Sequence, residues 1–528
     1  MANPGIPELF FLCTYSLIKL LILTELINVN DSISSIHTQR WFYAFILVHL
    51  IVWTLAPTLV RFNLPLDTIE GAIWGHQMEW GYDKNPFMNA WLTNIAIQLG
   101  GTSSWVIYLF CQITVVTCFW AVWQLGKKML PPVYALLAVM LLEFMQYYNL
   151  HSIELNDNTL ELAFWSLTAL FFYQALTRAR WRDWLLVAVF AALGMMTKYY
   201  TAMFLFCMFL FLLFNAKARQ QFKNPAFYFS AALFLVLIAP HFIWLFSHDF
   251  ITIKYVLNRT SSTPSWLHHI TFPLKFALEQ LEVALPAFIM ALVLYVGKKN
   301  QDSPVISPSA FDKSFLYFVG LGPFVLTVLL SIMTGIQLRG AWGQPLLSLW
   351  GILFIVWFKP QVSLSRFYHF MMIFYLLLVV VAGCYCAALM RAAKPSSANY
   401  PGERIAETLT NQWHAAFHRP LNYIGGSRWL GGNIAFYSLD RPSVYINWDK
   451  EVSFWVDEKK LKQDGAIFVW DPNEDNQASI RAVRTRFPKM GAPQILHFTW
   501  MRNQAMKPVE ITVVFLPPEG AKLAPRSL

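Results

Sequence analysis

The chain is 528 residues long, 56% hydrophobic and only 13% charged, with a formal charge of +10 and a mean hydropathy of +0.44. Soluble domains carry about 25% charged residues, so this composition excludes a water-soluble globule and requires lipid as part of the solvent. The positive balance suits a protein held among anionic headgroups. With no basic run interleaved with aromatics, nucleic acid is excluded as a partner.

Residues 1–40 form an N-terminal extension whose apolar stretch, 8–27, carries Lys19 and Glu25. It reads as an extra span, an interfacial helix or part of a targeting segment. With no basic n-region and no small-residue cleavage site, it is not read as a signal peptide. From there to residue 390, eleven apolar runs have the makings of membrane helices: 42–60, 104–125, 132–147, 159–176, 184–197, 199–214, 226–246, 273–296, 314–334, 341–358 and 367–390. The expected architecture is a polytopic α-helical membrane protein of about eleven spans, or twelve if 8–27 crosses. All six cysteines (Cys13, Cys111, Cys118, Cys207, Cys384, Cys386) fall in apolar stretches without metal-ligand spacing and read as buried structural thiols.

Alternate loops carry the basic residues: Lys127 and Lys128; Arg178, Arg180 and Arg182; Lys217, Arg219 and Lys223; Lys298, Lys299 and Lys313; Lys359 and Arg366. The positive-inside rule makes these loops cytoplasmic. That puts 61–103, 148–158, the turn at Lys198, 247–272, 335–340 and the tail from 391 on the outer side.

The tail, 391–528, loses the long apolar runs and reads as a small outer α/β domain. An amphipathic helix is expected over 403–418, strands at 433–439, 443–448, 466–470, 495–500 and 510–516, and a helix over 474–487.

Polar chemistry collects in the outer loops. In PLDTIEGAIWGHQMEWGYDKNPFMNAWL (65–92), Asp67 and Glu70 stand one helical turn apart and share a face, and 68–80 reads as an interfacial helix. Gly81 permits a turn, after which Tyr82, Asp83, Lys84 and Asn85 run into Pro86, which holds Asn85 extended. The three acids Asp67, Glu70 and Asp83, with Lys84 and a tight turn at the membrane face, can hold a phosphate and a reacting hydroxyl; the plainer reading is a solvated loop. Glu154 and Asp157, in HSIELNDNTLE, are again three apart. Lys84, Lys198 and Arg339 are the outer-side cations placed to stabilise charge growing on a leaving phosphate, against the plainer reading that each snorkels at a helix end. An acceptor hydroxyl needs a carboxylate to take its proton, whereas an ionised phosphate acceptor does not. His268 and His269 are candidates to join Asp83 around a divalent metal, or are simply loop histidines.

The motif GYDKNPFMNAWL resembles the first outer loop of the GT-C glycosyltransferases. It is most similar to the family 39/83 branch, which includes protein O-mannosyltransferases, the lipid A aminoarabinose transferase and lipopolysaccharide galacturonosyltransferases. There the motif usually reads Y-[DESH]-[KH]-P-P-[LM]-x-x-W-L, and Asn85 stands here where the first proline is usual. The resemblance covers roughly residues 41–390; YIGGSRWLGGNIAFYSLDRPSV in the tail also resembles the outer domain of galacturonosyltransferase-like members.

The resemblance implies a catalytic domain over 41–390 and a periplasmic domain over 391–528, in a bacterial inner membrane. It implies inverting transfer of a sugar from a polyprenyl-phosphate carrier to lipid A, lipopolysaccharide or another envelope acceptor. By position, Asp67 matches the aspartate near the acceptor, with Glu70 its partner, and Asp157 matches a second acidic position, with Glu154 the alternative. Lys84 matches the lipid-phosphate contact beside Tyr82, Lys198 matches the lysine of a glycine-to-lysine turn (GMMTK here), and Asp83 matches an acid that helps bind metal in some relatives. The rival class is a lipid-linked sugar flippase or transporter, which tends to place ionisable groups near the membrane midplane; Glu143 and Glu161 are the candidates for that here.

Overall fold

The computed structural model describes residues 37–260, 265–295, 303–473, 477–502 and 505–521. The stretch 8–27, Cys13, Lys298 and Lys299 lie outside these.

Each of the eleven apolar runs contains a helix. Those used below are α1 (Thr38–Val60), α2 (Leu66–Gln77), α3 (Met88–Gly100), α4 (Ser104–Met129), α5 (Pro132–Leu142), α6 (Asp157–Arg178), α7 (Trp181–Thr197), α8 (Thr201–Phe214), α9 (Pro225–Ser247), α10 (Ile251–Thr260), α11 (His268–Leu292), α12 (Ala310–Thr334), α13 (Trp350–Phe358) and α14 (Leu364–Met390). Fewer of them have the dimensions of a span. Among the described residues six helices are long and apolar enough, and eight if two bent pairs each count as one crossing. Those pairs turn by 92° after Phe214 and by 63° before Trp350.

The expectation of eleven spans is corrected on this count, and α5 gives the physical reason. Its 11 residues rise only about 16 Å at 1.5 Å each, half the thickness of a hydrocarbon core. Every side chain from Val133 to Leu142 is buried in protein. Apolar on all sides, α5 is a core helix.

The lipid-facing surface is explicit on α11. Leu274, Leu278, Leu281, Leu285, Ile289 and Leu292 follow one another at three- and four-residue steps and are 49–63% exposed. A continuous stripe of that kind is tolerated only against apolar solvent. Inside, α1 and α4 lock together through Phe42 stacked on Trp123, with centroids 4.0 Å apart. Cys111, Cys118, Cys207 and Cys386 are buried as expected, while Cys384 is exposed on α14.

The two carboxylates expected between spans are both buried; Glu143 is bonded through both oxygens, whereas Glu161 Oε2 has no hydrogen-bond partner. Glu143 accepts from His49 Nδ1 at 2.6 Å and Trp53 Nε1 at 2.8 Å. Glu161 accepts from Thr201 Oγ1 at 3.1 Å.

After α14 the chain forms α15 (Gly402–Phe417), β1 (Tyr423–Gly426), α16 (Leu430–Tyr437), β2 (Ser443–Ile446), α17 (Glu458–Asp464), β3 (Ala466–Trp470), α18 (Gln477–Arg486), β4 (Gln494–Phe498) and β5 (Val509–Leu516). The sheet order is β2-β1-β3-β5-β4. Around β1 the pairing is parallel; β5 runs antiparallel to both β3 and β4. The amphipathic helix appears as α15, with Ile405, Ala406, Leu409 and Trp413 on its buried face.

The expected strand at 433–439 is instead α16. All seven residues from Leu430 to Phe436 are buried, and a short run buried on every side carries no alternation to distinguish strand from helix. α16 also packs on α2: a Cβ on Gly432 would sit 2.7 Å from both Ile69 and Ile73 side-chain carbons, so only glycine permits this approach.

Candidate active site

The expected outer loops converge at one end of the helices. α2 begins after Pro65 and carries Asp67 in its first turn, where a negative charge complements the exposed amide groups. One turn on, Glu70 is buried and faces Lys84 Nζ at 2.6 Å. Lys84 is positioned by a closed turn in which Gly81 and Pro86 pair across it and Tyr82 N donates to Asn85 O at 3.0 Å.

Tyr82 anchors this turn from beneath. Its ring is fully buried and stacks on Trp74 at 5.2 Å, and its hydroxyl donates to Trp74 O at 2.7 Å. Gly81 is required where the turn meets α9, since a Cβ there would lie 2.4 Å from the Trp244 ring. With Tyr82 buried, Asp83, Lys84 and Asn85 each point to a polar partner.

Asp83 receives the Nη2 of Arg428, from the loop between β1 and α16, and Arg428 Nη1 stands 2.7 Å from Glu70 Oε1. Two carboxylates and two cations thus form one partly buried network. Lys84 Nζ also lies 5.8 Å above the Tyr255 ring of α10.

Asn85 donates to Asp157 Oδ2 at the start of α6, and Lys198, in the turn between α7 and α8, donates to the neighbouring Asn158. Lys198 Nζ is 5.6 Å from the Trp342 ring. Asn156 caps α6 by accepting from Thr159 N, and its amide donates at 3.3 Å to Asp67 Oδ2 and to Glu154 Oε2. Asp67, Glu70, Lys84, Glu154, Asp157 and Lys198 are therefore joined through neighbouring residues.

Burial raises the acids that this crowding leaves least solvated. Asp157 is pushed up to about 7 by desolvation, which Lys198 opposes and the Asp67 and Glu70 charges reinforce. Glu154 is likewise raised to about 7 by desolvation and then by Asp67. Glu70 is raised because burial outweighs the pull of Arg428 and Lys84.

Three of the remaining candidates, His268, His269 and Asp83, each have partners of their own. Arg339 is exposed and precedes Gly340, whose carbonyl accepts from Tyr147 Oη at 2.6 Å and Gln280 Nε2 at 3.1 Å. His268 stacks on Phe272 at 4.3 Å, and His269 Nδ1 bonds Ile332 O at 2.7 Å. Asp83 faces Arg428 instead. Among the described residues no group of three or more His, Cys, Asp or Glu is arranged to hold a metal. The Asp83–His268–His269 grouping therefore does not fit a metal ion, and Glu70 and Asp83 are already matched by Lys84 and Arg428.

Sequence reasoning missed Arg428, Asn85, Asn156 and Asn158. Arg428 sits in a tail stretch distant in sequence, with nothing local to pair it with the loop. The asparagines had a readable signal: each flanks or separates charged positions in the two acidic loops.

Apolar helices thus gather a charged cluster at one end, with the mixed sheet of the C-terminal domain beside it. Residues 84–244 match the family model for dolichyl-phosphate-mannose-protein mannosyltransferase. The fold is similar to that of ArnT from Cupriavidus metallidurans bound to undecaprenyl phosphate, with a TM-score of 0.53 and 14% identity over 92% of this chain and 99% of that one. The same protein in the apo state gives a TM-score of 0.50 and 13% identity over the same shares. No curated protein matches the chain by sequence.

Proposed function

We propose that this protein is an inverting transferase that moves a sugar from a polyprenyl-phosphate carrier to lipid A, lipopolysaccharide or another envelope acceptor. The reaction is assigned to the periplasmic face of a bacterial inner membrane, since basic residues concentrate in the loops opposite the cluster. One observation carries the reading: Lys84 and Lys198 flank Asp157, which accepts from Asn85, while Asp67 lies at the edge of the same cluster.

In this mechanism the acceptor oxygen attacks C1 of the donor sugar and the bond from C1 to the phosphate oxygen breaks. The acceptor proton passes to Asp67, and polyprenyl phosphate leaves. Lys84 and Lys198 stabilise the charge that grows on that phosphate, an interaction strongest in the transition state. Glu70 holds Lys84, and Asp157 holds the loop through Asn85. Arg339 is exposed in the same loop as Trp342, whose ring lies 5.6 Å from Lys198 Nζ, and is the third cation assigned to this step.

The test is turnover by purified protein in lipid nanodiscs given a polyprenyl-phosphate sugar and an envelope glycolipid extract. Release of polyprenyl phosphate that requires the extract, with sugar appearing on an extract component, is the expected result. Movement of the carrier between leaflets without bond cleavage would favour a flippase and overturn the assignment.

A further inference from the structure

A cavity of about 870 Å3 opens in the C-terminal domain, within the usual size of small-molecule sites, about 300–1,000 Å3. It lies at the carboxyl ends of the three parallel strands: Ser427 follows β1, Asn447 follows β2 and Asp471 follows β3. β1 pairs with β2 on one side and with β3 on the other, so the connections diverge there. Open α/β sheets take ligands at such a switch point. Asn447 and Trp448 both have φ of 48°, a conformation unfavourable for residues with side chains and concentrated at ligand sites.

The chemistry of the lining narrows the ligand. Half-buried Trp429 and Trp500 flank Tyr400, with centroids 5.0 and 6.0 Å from it. Trp500 is held by donation from its indole to Lys507 O at 2.9 Å. Among the described residues the charged lining is Asp471, Glu510 and Lys507, and Lys507 lies 3.4 Å from Glu510. With Lys507 paired to Glu510 and Asp471 present besides, this described lining disfavours phosphate or carboxylate. Aromatic faces with Asn447 and Asp471 instead suit a ring carrying hydroxyls at its edge and C–H bonds on its face, because the π face attracts the weakly positive hydrogens.

The cleft also adjoins the charged cluster. Leu66 lines it and immediately precedes Asp67, while Ser427 and Trp429 line it on either side of Arg428. We propose that this cleft binds an uncharged saccharide segment of the acceptor and leads its reacting hydroxyl toward Asp67. This rests on the transferase reading and adds that the acceptor is a glycan or glycolipid.

The test measures binding of maltotriose and chitotriose to the full chain in nanodiscs by saturation-transfer NMR, with trigalacturonate as the acidic comparison. At least one neutral trimer should bind, more tightly than trigalacturonate. Trp500→Ala should weaken that binding tenfold or more, and Lys84→Ala should leave it intact. Asp471→Asn, nearly isosteric, should weaken it severalfold and serves if Trp500→Ala fails to fold.

Absence of binding by both neutral trimers, tighter binding of trigalacturonate, or unchanged affinity in the cleft variants would overturn the proposal. The two readings fail separately. Saccharide binding without any transfer from a polyprenyl-phosphate sugar defeats the transferase reading. Transfer with an unchanged acceptor KM in Trp500→Ala defeats only the cleft.

Discussion

Arg428 donates to Asp83 although the two are 345 positions apart, and the same guanidinium stands 2.7 Å from Glu70. The C-terminal domain thereby holds the loop that presents Lys84. An arginine suits this bridge because its planar fork reaches two carboxylates at once, which a lysine cannot do. Removing one partner of a buried ion pair costs about 3–5 kcal/mol, because the other charge is left without compensation. Arg428→Ala should therefore lower the thermal midpoint and reduce transfer at least tenfold. In a double-mutant cycle by thermal unfolding, Asp83→Asn should add little once Arg428 is gone; fully additive losses would show that the two act independently.

Lys84 and Lys198 reach the cluster from different loops, yet each is anchored, to Glu70 at 2.6 Å and to Asn158 respectively. Loss of one electrostatic stabiliser of transition-state charge typically costs about 100- to 1,000-fold in kcat. Lys84→Ala and Lys198→Ala should each fall in that range in a polyprenyl-phosphate release assay. A rise in donor KM at unchanged kcat would instead mean that the lysine binds ground and transition states equally.

How much of this was readable in the sequence depends on whether the determinant was local. The turn at 81–86 and the helix carrying Asp67 and Glu70 followed from glycine, proline and one-turn spacing, and both appear. Basic-residue alternation put these loops on one side, and they do gather at one end of the helices. Three features escaped because they depend on partners far along the chain. Tyr82 reads as a polar site residue until Trp74 and α10 close over it. His268 and His269 have the composition of metal ligands, but His268 stacks on Phe272 of its own helix and His269 bonds a carbonyl of α12. α16 reads as a strand because its burial between the sheet and α2 removes any helical periodicity. Span counting failed at α5 for a related reason: apolarity marks burial, and protein buries as well as lipid does.

The raised acids make stability depend on pH. Asp157 and Glu154 move from ordinary values of 3.8 and 4.5 to about 7. Between those limits the folded chain keeps protons that the unfolded chain releases. Stability from these groups is thus fully present below about pH 4 and is lost as pH rises through about 7. Thermal midpoints measured from pH 4.5 to 8 should include this downward contribution, and Asp157→Asn, which cannot ionise, should flatten it. An unchanged slope in that variant would remove Asp157 as its source.

Asp67 separates the two kinds of acceptor. It lies at the rim of the cluster, half-buried, and accepts from Asn156 at 3.3 Å, so part of the side chain still meets the surface. If the acceptor is a hydroxyl, its proton must leave as the new bond forms, and a positioned base contributes about 100- to 10,000-fold. Asp67→Asn keeps the size and the polar contact but cannot take the proton. The expected outcome is a kcat reduced within that range, a donor KM changed less than threefold, and a thermal midpoint near that of the parent. An acceptor phosphate is already ionised and needs no base, so its transfer would survive the substitution. Single-turnover measurement of polyprenyl phosphate release distinguishes the two, because it reads the chemical step without product departure. Near-normal single-turnover rates in Asp67→Asn would take the base role away from this residue and point to an anionic acceptor.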